Sequence, residues 1–282
     1  GKLTPNLWDR TTVDADAVIT TPLHSQLNRL REIARGGNRH GSCGRGIGVT
    51  RELHLKYGEN VLFADDVNVS AKLSKKLRNI WDYIGKETLK LAKTQHVQIE
   101  NLWTPATLIK HYSDHPWPAK IISGMEPTEC MLFEGAQGAM LDEKFGFAPH
   151  NTWTDTTFNN ADDLLDEIGV YDRLRIGCIR SYYTRHGEGP FRTEDPTLNL
   201  PEPHNHGEGF QGKFRQGRFD WTMFNSALTI VDGVDYISVS HLDYLPDLGV
   251  TVKDMLSRLE AIRPVGMLAV GPTHQDRQIT IP

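Results

Sequence analysis

Residues 131–138 read MLFEGAQG, a short apolar run that ends at once in a glycine-rich turn. The same scheme, an apolar run followed by a polar or glycine-containing turn, recurs at residues 176–189, 237–243 and 267–272. Such runs are typical of parallel strands that are buried on both faces. Ligands of parallel α/β sheets bind beyond the carboxyl ends of the strands, so the four turns are candidate site loops. Ordinary connecting loops are the alternative interpretation.

Helical patterns lie between these runs. Residues 23–34 place apolar side chains at helical spacing, and the glycine pair at 36–37 ends that helix. Residues 70–96 predict one or two helices with Lys and Arg on the solvent face, and residues 18–20 predict a short strand. The pattern as a whole predicts an α/β fold with a mostly parallel central sheet flanked by helices.

Composition is that of an ordinary globular protein. Hydrophobic residues make up 38% and charged residues 24% of the 282 residues, and the net charge is −5. These values exclude disordered and collagen-like chains and argue against broad nucleic-acid binding. No stretch approaches the roughly 18 apolar residues of a membrane helix. Three widely spaced cysteines favour a reducing compartment, so we expect a cytoplasmic protein without nucleic-acid or membrane partners. The length fits one domain over residues 1–282, with two domains as the alternative.

Two glycine-containing segments carry basic residues. Residues 41–48 read GSCGRGIG, whose backbone N–H groups could cradle a phosphate beside Arg45, although a flexible loop is the alternative. Residues 207–213 fit G-x-x-x-x-G-K, but Phe214 stands where a P-loop needs Ser or Thr. This second segment is therefore not a P-loop. It could instead close over a carboxylate or phosphate through its basic residues, which are Lys213, Arg215 and Arg218.

A carboxylate follows the run at residues 237–239. Asp243 could accept two hydrogen bonds from a guanine base, although a helix-capping Asp would look the same. The histidines give no metal-binding pattern: His204 and His206 lie two apart in a proline-rich loop, which is a weak zinc signal. We therefore predict no metal site within this chain.

Several motifs, in this order along the chain, resemble the adenylosuccinate synthetase family. Residues 44–48 match its G-R-G-I-G, and residues 133–138 match its F-E-G-A-Q-G. Residues 184–194 look like T-R-V-G-E-G-P-F-P-T-E with two changes, and residues 217–220 look like G-W-F-D. Leu242-Asp243 and Gly271-Pro272 also fall in register, so the resemblance runs from about residue 8 to the end of the chain.

The resemblance implies a P-loop-NTPase-like ligase fold and a reaction in purine nucleotide biosynthesis. With Mg²⁺, a nucleoside triphosphate phosphorylates the 6-oxo group of a purine monophosphate, and L-aspartate then displaces that phosphate. Gln137 would be catalytic, stabilising charge at the 6-oxygen. The residues implied to bind the monophosphate are Ser42, Cys43, Gly44, Arg45, Gln137, Thr156, Thr157, His186 and Gly187. Lys213 and Arg215 would bind aspartate, and Asp243 and Gly271 would bind the base of the triphosphate.

Departures from the family pattern refine these expectations. The family's G-D-E-G-K-G and G-H-T segments have no counterpart here, so about 100 N-terminal family residues are expected to be lacking and the chain alone to be catalytically incomplete. Cys43 replaces a Thr, His241 replaces a Lys, the basic loop is one residue short, and residues 151–157 match only loosely.

In its short length and in these substitutions, the chain resembles the phage 2-aminoadenylosuccinate synthetase branch more than the cellular enzymes. That branch uses dGMP with ATP or dATP and would act in the host cytoplasm. An ordinary adenylosuccinate synthetase using IMP and GTP is the alternative, and a catalytically silent nucleotide-binding module is a third. The family also implies a homodimer, with Arg51 or Lys56 as the basic residue that reaches the partner subunit.

Overall fold

A computed structural model describes residues 6–115, 117, 119–203, 205 and 210–281. Contacts within the chain divide it into two compact units, Gly1–Thr128 and Glu129–Pro282. The single domain expected from the sequence remains a prediction. His204, His206 and the first residues of the G-x-x-x-x-G-K string lie outside the described residues.

The first unit is mainly helical. Its helices are α1 (Pro22–Arg35), α2 (Ile47–Tyr57), α3 (Ser70–Thr94) and α4 (Pro105–Asp114). Two short parallel strands, β1 (Thr12–Asp14) and β2 (Lys120–Ile122), pair beside them. The apolar stripes of α1 and α3 form the core, where Leu23, Leu27, Leu77 and Ile80 are fully buried.

The helices predicted in this unit are confirmed. α1 begins after Thr21, whose backbone N–H donates to Nδ1 of His24 at 2.9 Å, and it ends at Gly36, whose φ is 57°. Residues 70–96 contain one helix of 25 residues. The strand expected at 18–20 is wrong, because Val18 forms only an isolated bridge and the chain turns directly into the helix cap at Thr21.

The second unit is built on a four-stranded sheet of order β3-β6-β7-β8. The strands are β3 (Ile176–Arg180), β6 (Tyr236–Ser240), β7 (Val265–Ala269) and β8 (Arg277–Ile279). β3, β6 and β7 run parallel and β8 is antiparallel, so the predicted α/β class with a mostly parallel sheet is confirmed. The remaining elements are the antiparallel pair β4 (Tyr183–His186) and β5 (Phe214–Gly217), with helices α5 (Asn159–Glu167), α6 (Trp221–Val231) and α7 (Val252–Glu260).

Three of the four predicted apolar runs become strands of this sheet, with Ile237 and Val239 at its buried centre. The fourth, residues 131–133, does not. It forms no regular element, and Leu132 is 91% exposed. An apolar triplet becomes a buried strand only if a neighbouring strand pairs with it, and among the described residues none does.

Candidate functional site

The glycine-rich loop predicted to hold a phosphate lies against α1 in the first unit. Gly41, Gly44 and Gly46 all have positive φ, at 81°, 68° and 89°. At Gly46 a Cβ atom would lie 2.6 Å from the backbone nitrogen of Ser25, so only glycine fits. The loop thus follows the surface of α1 closely.

The same loop leads into an uncapped helix. α2 begins at Ile47 after Gly46, and none of the described side chains caps its N-terminus. Its first three N–H groups therefore have no partner within the helix, because the first such bond is made by Thr50 N–H to the Gly46 carbonyl at 2.9 Å. Arg45, Ile47 and Gly48 are exposed beside this end. Free N–H groups, the positive end of the helix dipole and a guanidinium together suit an anion.

Other predicted residues of the first unit occupy distinct places. The hydroxyl of Ser42 is bonded to Asn28, whereas Cys43 is an exposed free thiol. Arg51 and Lys56 both lie on α2; Nε of Arg51 is buried and has no hydrogen-bond partner among the described residues, and Nζ of Lys56 lies 5.1 Å from the ring centroid of Tyr57. A homodimer with either residue at its interface remains a prediction.

The remaining candidates belong to the second unit. Gln137 is exposed and has a φ of 69°, a left-handed conformation that is uncommon for a residue with a Cβ. The carbonyl of the adjacent Gly138 accepts a hydrogen bond from Oγ1 of Thr156 at 3.2 Å. The structure therefore brings the Gln137 turn and Thr156 together, and their common role in one site remains a prediction.

Carboxylates accept hydrogen bonds from Thr156 and Thr157. The N–H of Thr156 donates to Oδ2 of the buried Asp142 at 2.8 Å. The N–H and hydroxyl of Thr157 donate to Oδ1 of Asp155 at 2.8 and 2.6 Å. Burial works to raise the pKa of Asp155, but the hydrogen bonds from Thr157 and Asn159 outweigh it and lower that pKa. In this arrangement the two threonines stabilise their own loop.

β4 and β5 bring together the predicted ribose and aspartate residues. The N–H of Gly187 donates to the carbonyl of Lys213 at 2.8 Å. Nη1 of Arg215 donates to the carbonyls of Gly187 and Gly189, each at 3.0 Å. Lys213 is exposed and forms no ion pair with any described residue, whereas Arg215 is paired with Glu194. Lys213 is thus the cation of this pair that is open to a ligand.

The two ring nitrogens of His186 differ in their hydrogen bonding. Its Nε2 lies 3.2 Å from Oδ1 of Asn205, and the amide of Asn205 is oriented by donating to Oε2 of Glu202 at 2.6 Å. Nδ1 is buried and has no partner among the described residues. The network therefore favours the tautomer with hydrogen on Nε2, which leaves Nδ1 as an acceptor.

The triphosphate candidates lie at one edge of the central sheet. Asp243 follows β6 and Gly271 follows β7, and these two strands are parallel neighbours. Asp243 is exposed, and His241 before it has a left-handed conformation, with φ of 60° and ψ of 34°. At Gly271 a Cβ would lie 2.8 Å from Cγ of Asp276, so a larger residue there would displace the Asp276 side chain. Their shared edge is the placement expected from the parallel topology.

Some residues that organise these loops were not predicted from the sequence. They are Asn28 and Glu32 on α1, Asp142, and Glu194. For α1 a signal existed, since polar residues at helical spacing form a second face of that helix.

Among the described residues, no group of three or more His, Cys, Asp or Glu side chains could hold a metal ion. The Mg²⁺ implied by the resemblance therefore has no cluster of side-chain ligands in that part of the chain. None of the described helices combines the length and apolar character that crossing a membrane requires.

Comparison with known proteins gives a consistent relationship. The profile of the adenylosuccinate synthetase family matches residues 3–253. An adenylosuccinate synthetase from Methylococcus capsulatus is 31% identical over 259 residues, which cover 87% of this chain and 58% of that protein. The one from Marinomonas sp. is 27% identical over 245 residues, covering 84% of this chain and 56% of that protein. The chain thus spans less than three fifths of the length of these relatives.

Two solved structures share the fold. The fully ligated adenylosuccinate synthetase from Plasmodium falciparum superposes with a TM-score of 0.69 at 17% identity, covering 99% of this chain and 80% of that one. The cyanophage S-2L succinoaminodeoxyadenylate synthetase, bound to dGMP and dATP, gives a TM-score of 0.56 at 19% identity, covering 95% and 68%.

Proposed function

This chain belongs to the adenylosuccinate synthetase family, and on that basis we propose that it acts in purine nucleotide biosynthesis as a ligase that joins L-aspartate to C6 of a purine mononucleotide. The structural observation that carries the proposal is the uncapped start of α2 behind the glycine-rich loop. Free N–H groups with Arg45 beside them suit the 5′-phosphate of such a nucleotide.

The proposed reaction has two steps. The γ-phosphoryl group of a triphosphate is transferred to the 6-oxygen of the purine, which turns that oxygen into a leaving group. The amino nitrogen of L-aspartate then attacks C6, the C6–O bond breaks, phosphate departs with the oxygen, and the nitrogen loses a proton. Gln137 donates a hydrogen bond from its amide to the 6-oxygen as negative charge develops there. Its exposed, left-handed turn supports this role, since such conformations concentrate at functional sites.

For the substrates, we propose dGMP with ATP or dATP as the energy donor. The substitutions Cys43 and His241 and the likeness to the cyanophage synthetase support this choice. IMP with GTP is the second candidate. It is favoured by the curated relatives, which are adenylosuccinate synthetases, and by Asp243, whose exposed carboxylate suits a guanine base. Mg²⁺, a homodimeric state and a cytoplasmic location complete the proposal.

Phosphate release tests the proposal. The full-length protein is mixed with L-aspartate and Mg²⁺, and each monophosphate, dGMP or IMP, is combined with ATP, dATP or GTP in turn. Product is identified by the mass of its succinyl group. Preference for dGMP in kcat/KM supports the phage-type reaction, whereas preference for IMP with GTP supports the ordinary one. Tight binding of a monophosphate without turnover in any combination would indicate a silent nucleotide-binding module.

A further inference from the structure

One face of α1 holds the glycine-rich loop in place. The side chains involved are spaced so that they share a face of the helix, and they are Ser25, Asn28, Arg29 and Glu32. Oγ of Ser25 donates to the carbonyl of Arg45 at 2.5 Å, and Nε of Arg29 donates to the carbonyl of Gly44 at 3.1 Å. These two bonds fix the course of the loop backbone.

Asn28 binds both ends of the loop. Its Nδ2 donates to Oγ of Ser42 at 3.0 Å, and its Oδ1 accepts from the hydroxyl of Ser42 at 3.3 Å and from the N–H of Gly46 at 3.2 Å. The bonds made by both its oxygen and its nitrogen fix the orientation of the amide. Because Gly46 is the residue before α2, Asn28 also sets where that helix begins.

Glu32 anchors the beginning of the loop. Its side chain is fully buried, its Oε1 pairs with Arg35, and its Oε2 accepts from the N–H of Gly41 at 3.1 Å. A buried carboxylate is costly unless it is paired and hydrogen-bonded. Its presence at this position therefore indicates a role in holding the loop.

We propose that Asn28 and Glu32 are positioning residues for the purine monophosphate. They bind the inward N–H groups of the loop, those of Gly46 and Gly41, and so turn the first N–H groups of α2 and the side chain of Arg45 outward for the phosphate. The inference rests on the proposed function, in which this loop binds the 5′-phosphate. Neither side chain needs to touch the ligand.

Titration calorimetry on variants tests this role. Asn28→Ala removes the hydrogen bonds to both ends of the loop, and Glu32→Leu removes the bond to Gly41. Glu32→Gln is the conservative variant, because its amide oxygen can still accept from Gly41. Gln26→Ala is the matched control, since Gln26 lies on the same helix and donates to the carbonyl of Asn101, away from the loop. The ligands are IMP, dGMP, their phosphate-free nucleosides and a nucleoside triphosphate.

We expect Asn28→Ala and Glu32→Leu to raise the Kd of the preferred monophosphate about tenfold or more, the loss that follows from misplacing one or two charge-assisted hydrogen bonds. Affinities for the nucleoside and the triphosphate should stay within about twofold, and Glu32→Gln and Gln26→Ala should bind the monophosphate like the unaltered protein. This selective loss is the result that supports the proposal.

Two results overturn it, and they are distinguishable from failure of the function. If the unaltered protein binds a monophosphate and Asn28→Ala binds it equally well, the positioning role is wrong while the proposed function stands. If a variant loses affinity for all ligands together and unfolds at a lower temperature, the role is only structural. If the unaltered protein binds neither IMP nor dGMP, the proposed function itself fails and the inference falls with it.

Discussion

Glu194 holds Arg215 through both of its carboxylate oxygens: Oε1 accepts from Nε at 2.8 Å, and Oε2 accepts from Nη2. The hydrogen bond from Arg215 lowers the pKa of Glu194, and the same bond raises the pKa of Arg215. With Nη1 on the carbonyls of Gly187 and Gly189, the guanidinium is engaged by the protein itself. Binding of L-aspartate by Arg215 remains a prediction, and it requires this contact to open.

The Glu194–Arg215 pair should contribute to stability. We expect Glu194→Ala to lower the free energy of unfolding by about 1 to 2 kcal/mol, because a bidentate pair is lost and Arg215 is left without a counter-charge. Urea denaturation measures the change. Asp114→Ala is the control, since the exposed Lys110–Asp114 pair should contribute little to stability. Equal losses in the two variants would show that the bidentate geometry has no special importance.

Lys213 and Arg215 should have separable roles. Lys213→Met should raise the KM for L-aspartate about tenfold and leave the KM of both nucleotides near its original value, because this exposed cation is free to meet a carboxylate. Arg215→Lys should raise every KM, because it loosens the turn at residues 187–189. Steady-state kinetics with each substrate varied in turn is the measurement. Parallel increases for all substrates in Lys213→Met would contradict the assignment.

Gln137 allows function to be separated from folding. Gln137→Gly should lower kcat about 100-fold, because a hydrogen-bond donor to the 6-oxygen is lost. The same change should leave the free energy of unfolding unchanged or raise it by up to about 1 kcal/mol, since glycine adopts a φ of 69° without strain. Gln137→Ala controls for the side chain alone. Normal turnover by a well-folded Gln137→Gly protein would remove this residue from the mechanism.

His24 should make stability depend on pH. Burial, opposed in part by a backbone hydrogen bond with Thr21, lowers the pKa of His24 from 6.5 to about 4. Between these values the unfolded chain binds a proton that the folded protein does not, so stability is present above pH 6.5 and is lost as the pH falls towards 4. The loss between about pH 7 and pH 4.5 should be about 2 kcal/mol or slightly more.

Urea denaturation at several pH values measures this loss. His24→Gln is the comparison, because glutamine at this position can still accept from the N–H of Thr21 but does not titrate. We expect a flatter pH profile for the variant. Identical slopes for the two proteins would assign the acid sensitivity to other groups.

The features that the sequence predicted are those with a local signal. The apolar spacing of α1 and the glycine at its end depend on neighbours within one or two turns of helix, and the run at 237–239 gives a local strand signal. Residues 131–133 give the same signal but lack a partner strand, so Leu132 is exposed. Local pattern alone cannot distinguish these two cases.

The contacts that shape the candidate site are nonlocal, and the sequence did not predict them. Glu194 reaches Arg215 across 21 residues, because β4 and β5 pair and bring the segment between them back on itself. Likewise Asn28 meets Gly46 only because the loop folds back along α1. From the sequence alone, a charged or amide residue on a helix is predicted to face solvent, because its partner elsewhere in the chain is not known.

Because α2 has no capping side chain among the described residues, a bound phosphate would help to stabilise the start of the helix. An ordinary helix satisfies its first N–H groups with a Ser, Thr, Asp or Asn side chain, but here Gly46 occupies that position. A phosphate bound to the same N–H groups would accept the hydrogen bonds that a capping side chain normally accepts. The helix end at Ile47 should therefore fray less as the occupancy of the phosphate rises. Phosphate binding should then be detectable as slower amide hydrogen exchange in the first turn of α2. This measurement does not require the protein to catalyse a reaction.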